Sequence, residues 1–114
     1  LAGIKNIVYV LVGHPYENKF EFYQTLNFME ENKNIIDGVF ASKFQLEYGS
    51  IMYNDPKKSN IKIVGNCSSF NFDSLNFDEV YGLKWKEKDK QTKKHFKILV
   101  KTLKKLNITT HISR

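Results

Sequence analysis

The chain has 114 residues, 41% of them hydrophobic, with nine Phe, six Tyr and one Trp; it is too apolar for a disordered protein and too short for two ordinary domains. Its one cysteine, Cys67, makes no internal disulfide, which excludes a cross-linked secreted scaffold. The formal net charge is +6, and where those charges sit matters more than their sum.

Ile4 to Val12 is a β-branched run ended by Gly13 and predicts a buried strand. His14-Pro15-Tyr16-Glu17-Asn18 reads as a turn, because Pro15 lacks a donor and disfavours helix at His14. Phe22, Tyr23, Leu26 and Met29 recur at helical spacing, so a helix over Phe20–Asn32 is preferred to a second strand through Phe20, Phe22 and Leu26. Ile35-Ile36-Asp37-Gly38 is its exit. Phe40, Ser42, Phe44, Leu46 and Tyr48 then alternate with polar or small residues, which predicts an amphipathic strand that buries the Phe40 side. Gly49-Ser50 interrupts it, Ile51-Met52-Tyr53 resumes, and Asn54 to Asn60 is turn chemistry. Ile61 to Val64 predicts a further strand, and the three runs most simply form an antiparallel meander.

Ser68 to Asp78 reads as an aromatic-rich loop and Val80 to Leu83 as a short strand. Lys86 to Leu106 is the clearest helix, with Phe96, Leu99, Val100, Leu103 and Leu106 on one stripe. Asn107 stops it and Ile108 to Ile112 predicts a last strand. The elements describe a single α+β domain spanning residues 1–114. Its expected sheet is antiparallel or mixed, of four to six strands, with two helices packed as in a split βαβ fold. A Rossmann-like or longin-like α/β arrangement is the alternative. The longest apolar stretch, Ile7 to Val12, is far short of the ~20 residues needed to span a bilayer. The N-terminus lacks a basic flank followed by an apolar stretch and cleavage site, so a cytoplasmic, reducing compartment is expected. Asn66-Cys67-Ser68 and Asn107-Ile108-Thr109 match the glycosylation sequon, a triplet common by chance in an Asn-rich chain.

Between Lys84 and Lys105 stand ten lysines against Glu87 and Asp89, a local balance of +8, while the remainder balances at −2. Lys90, Lys93, Lys94, Lys97, Lys101, Lys104 and Lys105 avoid the apolar stripe and form a cationic face suited to phosphates. Trp85, between Lys84 and Lys86, would stack on a base beside that face or cap the core at the helix start. The competing explanation is a solvated face enriched in Lys by codon usage, since seventeen lysines stand against Arg114 alone. With no arginine in the helix, binding would follow the phosphate backbone and tolerate any sequence.

Leu11-Val12-Gly13-His14 and Ile63-Val64-Gly65-Asn66-Cys67 each place a glycine after an apolar strand. Were both strands parallel in one sheet, His14 and Cys67 would emerge at its ligand-binding edge as a thiolate–imidazolium pair. Turn punctuation and a buried hydrophobic cysteine explain the same residues without chemistry. His14, His95 and His111 lie far apart and offer no metal-ligand spacing; His95 reads as a packing residue. Asp73, Asp78 and Glu79 read as exposed loop carboxylates rather than an acid–base or Mg²⁺ pair. No cofactor is implied.

Tyr9-Val10-Leu11-Val12-Gly13-His14 followed by Phe20-Glu21-Phe22 resembles the opening strands of the sedlin family of longin-like trafficking subunits. The resemblance covers about a seventh of the chain and implies an adaptor in which Phe20 to Leu26 is a strand and a helix follows near Met29 to Phe40. The leading expectation is a non-catalytic binding module for nucleic acid or another polyanion. A protein–protein adaptor and a small Cys/His enzyme are the alternatives, and sheet edges in so small a domain allow a homodimer.

Overall fold

The computed structural model describes residues 5–46, 49–64 and 75–112; Cys67, Asp73, Asn66 of the first sequon and the 68–74 part of the aromatic loop lie outside the described residues. In order, the elements are β1 (Ile7–Val12), α1 (Lys19–Glu31), β2 (Gly38–Lys43), a four-residue α2 (Ile51–Asn54) and a 3-10 turn (Pro56–Ser59). Then come β3 (Ile61–Val64), β4 (Asn76–Glu79), α3 (Trp85–Lys105) and β5 (Thr110–Ile112). The α+β expectation holds, but the strands belong to two sheets: parallel β1-β2-β5 and antiparallel β3-β4. The antiparallel meander is therefore corrected. β2 runs parallel to β1 from Ile7↔Gly38 to Val12↔Lys43, and Ile51–Asn54 is helical.

The first helix forms where its spacing predicts. Asn18 Oδ1 accepts a hydrogen bond from the Glu21 N–H at 2.8 Å, and Glu21 Oε1 accepts one from the Asn18 N–H at 3.3 Å, a reciprocal cap. Phe22, Leu26 and Met29 form its buried stripe. A helix across 19–31 and a strand at 38–43 overturn the arrangement implied by the sedlin resemblance. At the other end of the chain, Lys84 offers α3 no side-chain cap; Asp78 Oδ1 accepts from the Trp85 N–H at 2.8 Å instead. Val80 to Leu83, expected as a strand, includes the turn between β4 and α3, with Gly82 N–H bonded to Glu79 O at 3.2 Å.

Parallel neighbours need a crossover, and such crossovers are right-handed. The steps β1→β2 and β2→β5 move in one direction across the sheet, so both helices land on the same face. There Val10, Val12, Val39 and Ala41 meet Phe22, Leu26, Met29, Leu99 and Leu103 in one core. A smaller core under the second sheet gathers Leu46, Ile61 and Phe77.

The opposite face of the parallel sheet has no layer over it among the described residues. Tyr9 is 78% exposed and Leu11 48%. Tyr9, Phe40 and His111 are register partners on three adjacent strands, and their rings stack at 5.2 Å and 4.8 Å. Phe40 thus points away from the core, opposite to the expected phase. Val39 and Ala41 are inside, and the phase inverts where the chain leaves the sheet after Lys43 and reaches buried Leu46. Small Ala41 lets the helices approach, whereas the aromatic ring pairs across strands.

Candidate functional site

Helix α3 presents two chemically distinct faces. Lys90, Lys93, Lys94, Lys97, Lys101, Lys104 and Lys105 are all exposed, along a helix of about 30 Å at 1.5 Å per residue. Lys93 Nζ lies 2.9 Å from Asp89, whereas the other six have no carboxylate within 4.0 Å among the described residues. Lys90, Lys94, Lys97 and Lys101 line a shallow groove floored by Ile98, the lysine stems covering apolar surface while the ammonium groups stay in water. Trp85 is half-buried at the helix start, with Lys86 Nζ 5.7 Å from its ring centroid.

The inward face is more unusual. Stepping back from Leu103 and Leu99, the buried stripe continues through His95, Thr92 and Lys88. Its C-terminal half is apolar and lies on the sheet. Its N-terminal half is polar and lies over the carboxyl ends of β1 and β2. Lys88 Nζ makes a 3.0 Å ion pair with Glu79 Oε2, both side chains at least nine-tenths buried. The same ammonium donates to Glu17 O at 3.4 Å. Glu79 also accepts from the Tyr16 N–H at 2.5 Å and the Leu83 N–H at 2.9 Å. One carboxylate thereby ties β4, the 13–17 turn and α3 together. Glu79 and Asp78, expected as exposed loop carboxylates, belong to β4. Burial opposes the charge of Glu79, but the Leu83 N–H, the Lys88 ammonium and the Tyr16 N–H prevail and hold its carboxyl below the usual range.

His95 stacks on Phe22 at 4.1 Å, nearly coplanar. Burial pushes its imidazole below the ordinary value; the Glu17 carboxylate pulls the other way, and Lys94, Lys88 and Lys19 add to the lowering. A depressed folded value means that the unfolded chain protonates first. The His95 contribution to stability is fully present above about pH 6.5 and is lost as the pH falls from there through the lowered folded value. Glu79 follows the same sign in a lower window, beginning below its ordinary 4.5. Urea unfolding from pH 8 to pH 3 is expected to show both declines, and His95→Asn to lack the upper one. An upper decline unchanged in that variant would assign it to other groups.

His14 stands at the carboxyl end of β1, as expected. Its Nδ1 is 3.1 Å from Pro15 O and its Nε2 3.5 Å from Glu17 Oε2, whose Oε1 accepts from the Gly13 N–H at 2.9 Å. The strand leading to Cys67 is not in that sheet: β3 pairs antiparallel with β4. The parallel arrangement assumed for a Cys67–His14 site is therefore corrected. Gly13 carries φ +92, and a Cβ there would stand 2.4 Å from Thr92 Oγ1, so backbone and helix touch.

Beside this contact lies a cavity of about 160 Å³, lined in part by Gly13, Lys43, Trp85, Lys88, Asp89 and Thr92. Sequence reasoning missed Lys88, Thr92 and Glu17. The lysine run hid the first, although extending the 99–103 spacing backward by four, three and four residues reaches 95, 92 and 88. Among the described residues no three of His, Cys, Asp and Glu converge as a metal set, and no helix is long and apolar enough to cross a membrane. In comparison with known proteins, no family model, curated protein or solved structure matches this chain.

Proposed function

We propose that the protein is a non-catalytic binding module that holds a polyanion, nucleic acid foremost, along the lysine face of α3. The observation that carries this reading is the row of exposed cations without carboxylate partners among the described residues: Lys90, Lys94, Lys97, Lys101, Lys104 and Lys105. A solvated face made lysine-rich by composition alone has no need to be free of acidic neighbours, whereas a phosphate-tracking face does. Affinity should fall steeply with salt and depend little on sequence, because lysine supplies point charges rather than a planar fork.

The test is fluorescence anisotropy with labelled single-stranded RNA, single-stranded DNA and duplex DNA across a salt series. Replacing Lys90, Lys94, Lys97 and Lys101 together with Gln is expected to weaken binding by a hundredfold or more at low salt. The slope of log affinity against log salt should flatten by about 3 to 4, near one per lost phosphate contact. Unchanged affinity in that variant would retire the reading.

A second reading, a protein–protein adaptor, is favoured by the uncovered sheet face bearing Ile7, Tyr9, Leu11 and Phe40. It calls for a complex that is insensitive to salt and lost on Tyr9→Lys.

A further inference from the structure

We propose that the cavity at the carboxyl edge of the parallel sheet binds a small oxyanion, the phosphate or carboxylate group of a compact ligand. Its donors are Thr92, Lys88 and Lys43, set over the Gly13 backbone. This site is separate from the exposed lysine face and does not depend on it.

Four observations converge. First, the cavity lies beyond the carboxyl ends of two parallel strands, lined by Gly13 after β1 and by Lys43 and Phe44 at the end of β2. Second, Thr92 is 8% exposed, lines the cavity, and its hydroxyl has no hydrogen-bond partner among the described residues. That hydroxyl is therefore open to a group bound in the cavity. Third, the Lys88 ammonium has three donors, and Glu79 and the Glu17 carbonyl take two. Among the described residues the third has no acceptor, and Lys88 lines the cavity. Fourth, Lys43 lines the same cavity with no carboxylate within 4.0 Å among the described residues.

The charge balance selects an anion. Glu79 compensates Lys88, and Asp89 at the rim is held by Lys93 at 2.9 Å, which leaves Lys43 as the uncompensated cation. Size selects a small one. About 160 Å³ leaves room for a small oxyanion with part of its hydration. It is well below the ~300 Å³ at which pockets for nucleotide-sized ligands begin. Gly13 belongs to the same design: with no side chain it lets Thr92 press against the backbone at the cavity wall.

Inorganic phosphate, sulfate and acetate should be titrated separately into the isotope-labelled full chain at constant ionic strength, followed by amide shifts. The expected result is a saturable shift at Gly13, Lys88 and Thr92. The phosphate and acetate arms tell the two oxyanion types apart. Thr92→Val should weaken binding about tenfold or more, the loss expected for one hydrogen bond to a charged group, while Thr92→Ser retains it. Lys43→Met, at a half-buried position, should weaken it similarly and serves if Thr92→Val fails to fold. The variant with Lys90, Lys94, Lys97 and Lys101 replaced by Gln should bind the small anion unchanged, even if it loses nucleic acid. Shifts confined to the exposed lysines, no saturation with any of the three ions, or wild-type affinity in Lys43→Met would overturn the proposal.

Discussion

Lys88→Met is expected to destabilise the protein by about 3–5 kcal/mol, the usual cost of removing one partner from a buried ion pair. The penalty comes from the residue left behind. Glu79 would keep a buried negative charge held, among the described residues, by the Tyr16 and Leu83 N–H groups alone. Domains of this size have about 5–15 kcal/mol in total, so the variant should lose a large share of its stability in urea unfolding at unchanged m. Adding Glu79→Gln to Lys88→Met removes the stranded charge and should recover roughly half of the loss. It should not recover all of it, because a neutral amide accepts through one oxygen where the carboxylate accepts two backbone donors. A loss below about 1 kcal/mol for Lys88→Met would mean that water already screens the pair.

Gly13→Ala is expected to cost about 2–6 kcal/mol through two separable causes. A φ of +92 is strained for a residue with a Cβ, at about 1–3 kcal/mol. The new methyl would also stand 2.4 Å from Thr92 Oγ1 and 2.6 Å from Thr92 Cγ2, an overlap of about 1–3 kcal/mol. Removing those two atoms with Thr92→Ala should relieve the second cause and leave the first. The double-mutant cycle should therefore give a favourable coupling of about 1–3 kcal/mol. Simple additivity of the two substitutions would mean that Gly13 and Thr92 do not press together.

The helices were the most legible part of the molecule. The Asn18–Glu21 cap became evident only in the structure, but Phe22, Leu26 and Met29 announce α1 because a 3.6-residue stripe is a local property. The same holds for α3 and for its cationic outer face. Strands were legible only in part: β1, β2, β3 and β5 fall in runs that read as extended, whereas β4 falls largely in the expected loop, Ile51–Asn54 is helical and Val80 opens a turn, and none of the pairing was legible. The alternation from Phe40 to Tyr48 marks extended chain, yet the parallel partner, the end of pairing at Lys43 and the inverted phase at Phe40 all depend on β1, thirty residues earlier. Period two carries neither direction nor phase.

The candidate sites divide in the same way. The sequence by itself determined a basic helix, its companion helix and the segregation of +8 into 22 residues against −2 elsewhere, since these follow from neighbours three and four positions apart. Only the tertiary structure decided that Lys88 leaves the solvated lysines to meet Glu79, and that Glu79 reaches the Tyr16 N–H 63 residues away. It also decided that Gly13 meets Thr92, and that one sheet face carries no layer among the described residues. A buried charge survives only where distant chain segments supply its partners, and a bare face arises only from the order in which parallel strands are laid down. Neither can be written in local spacing.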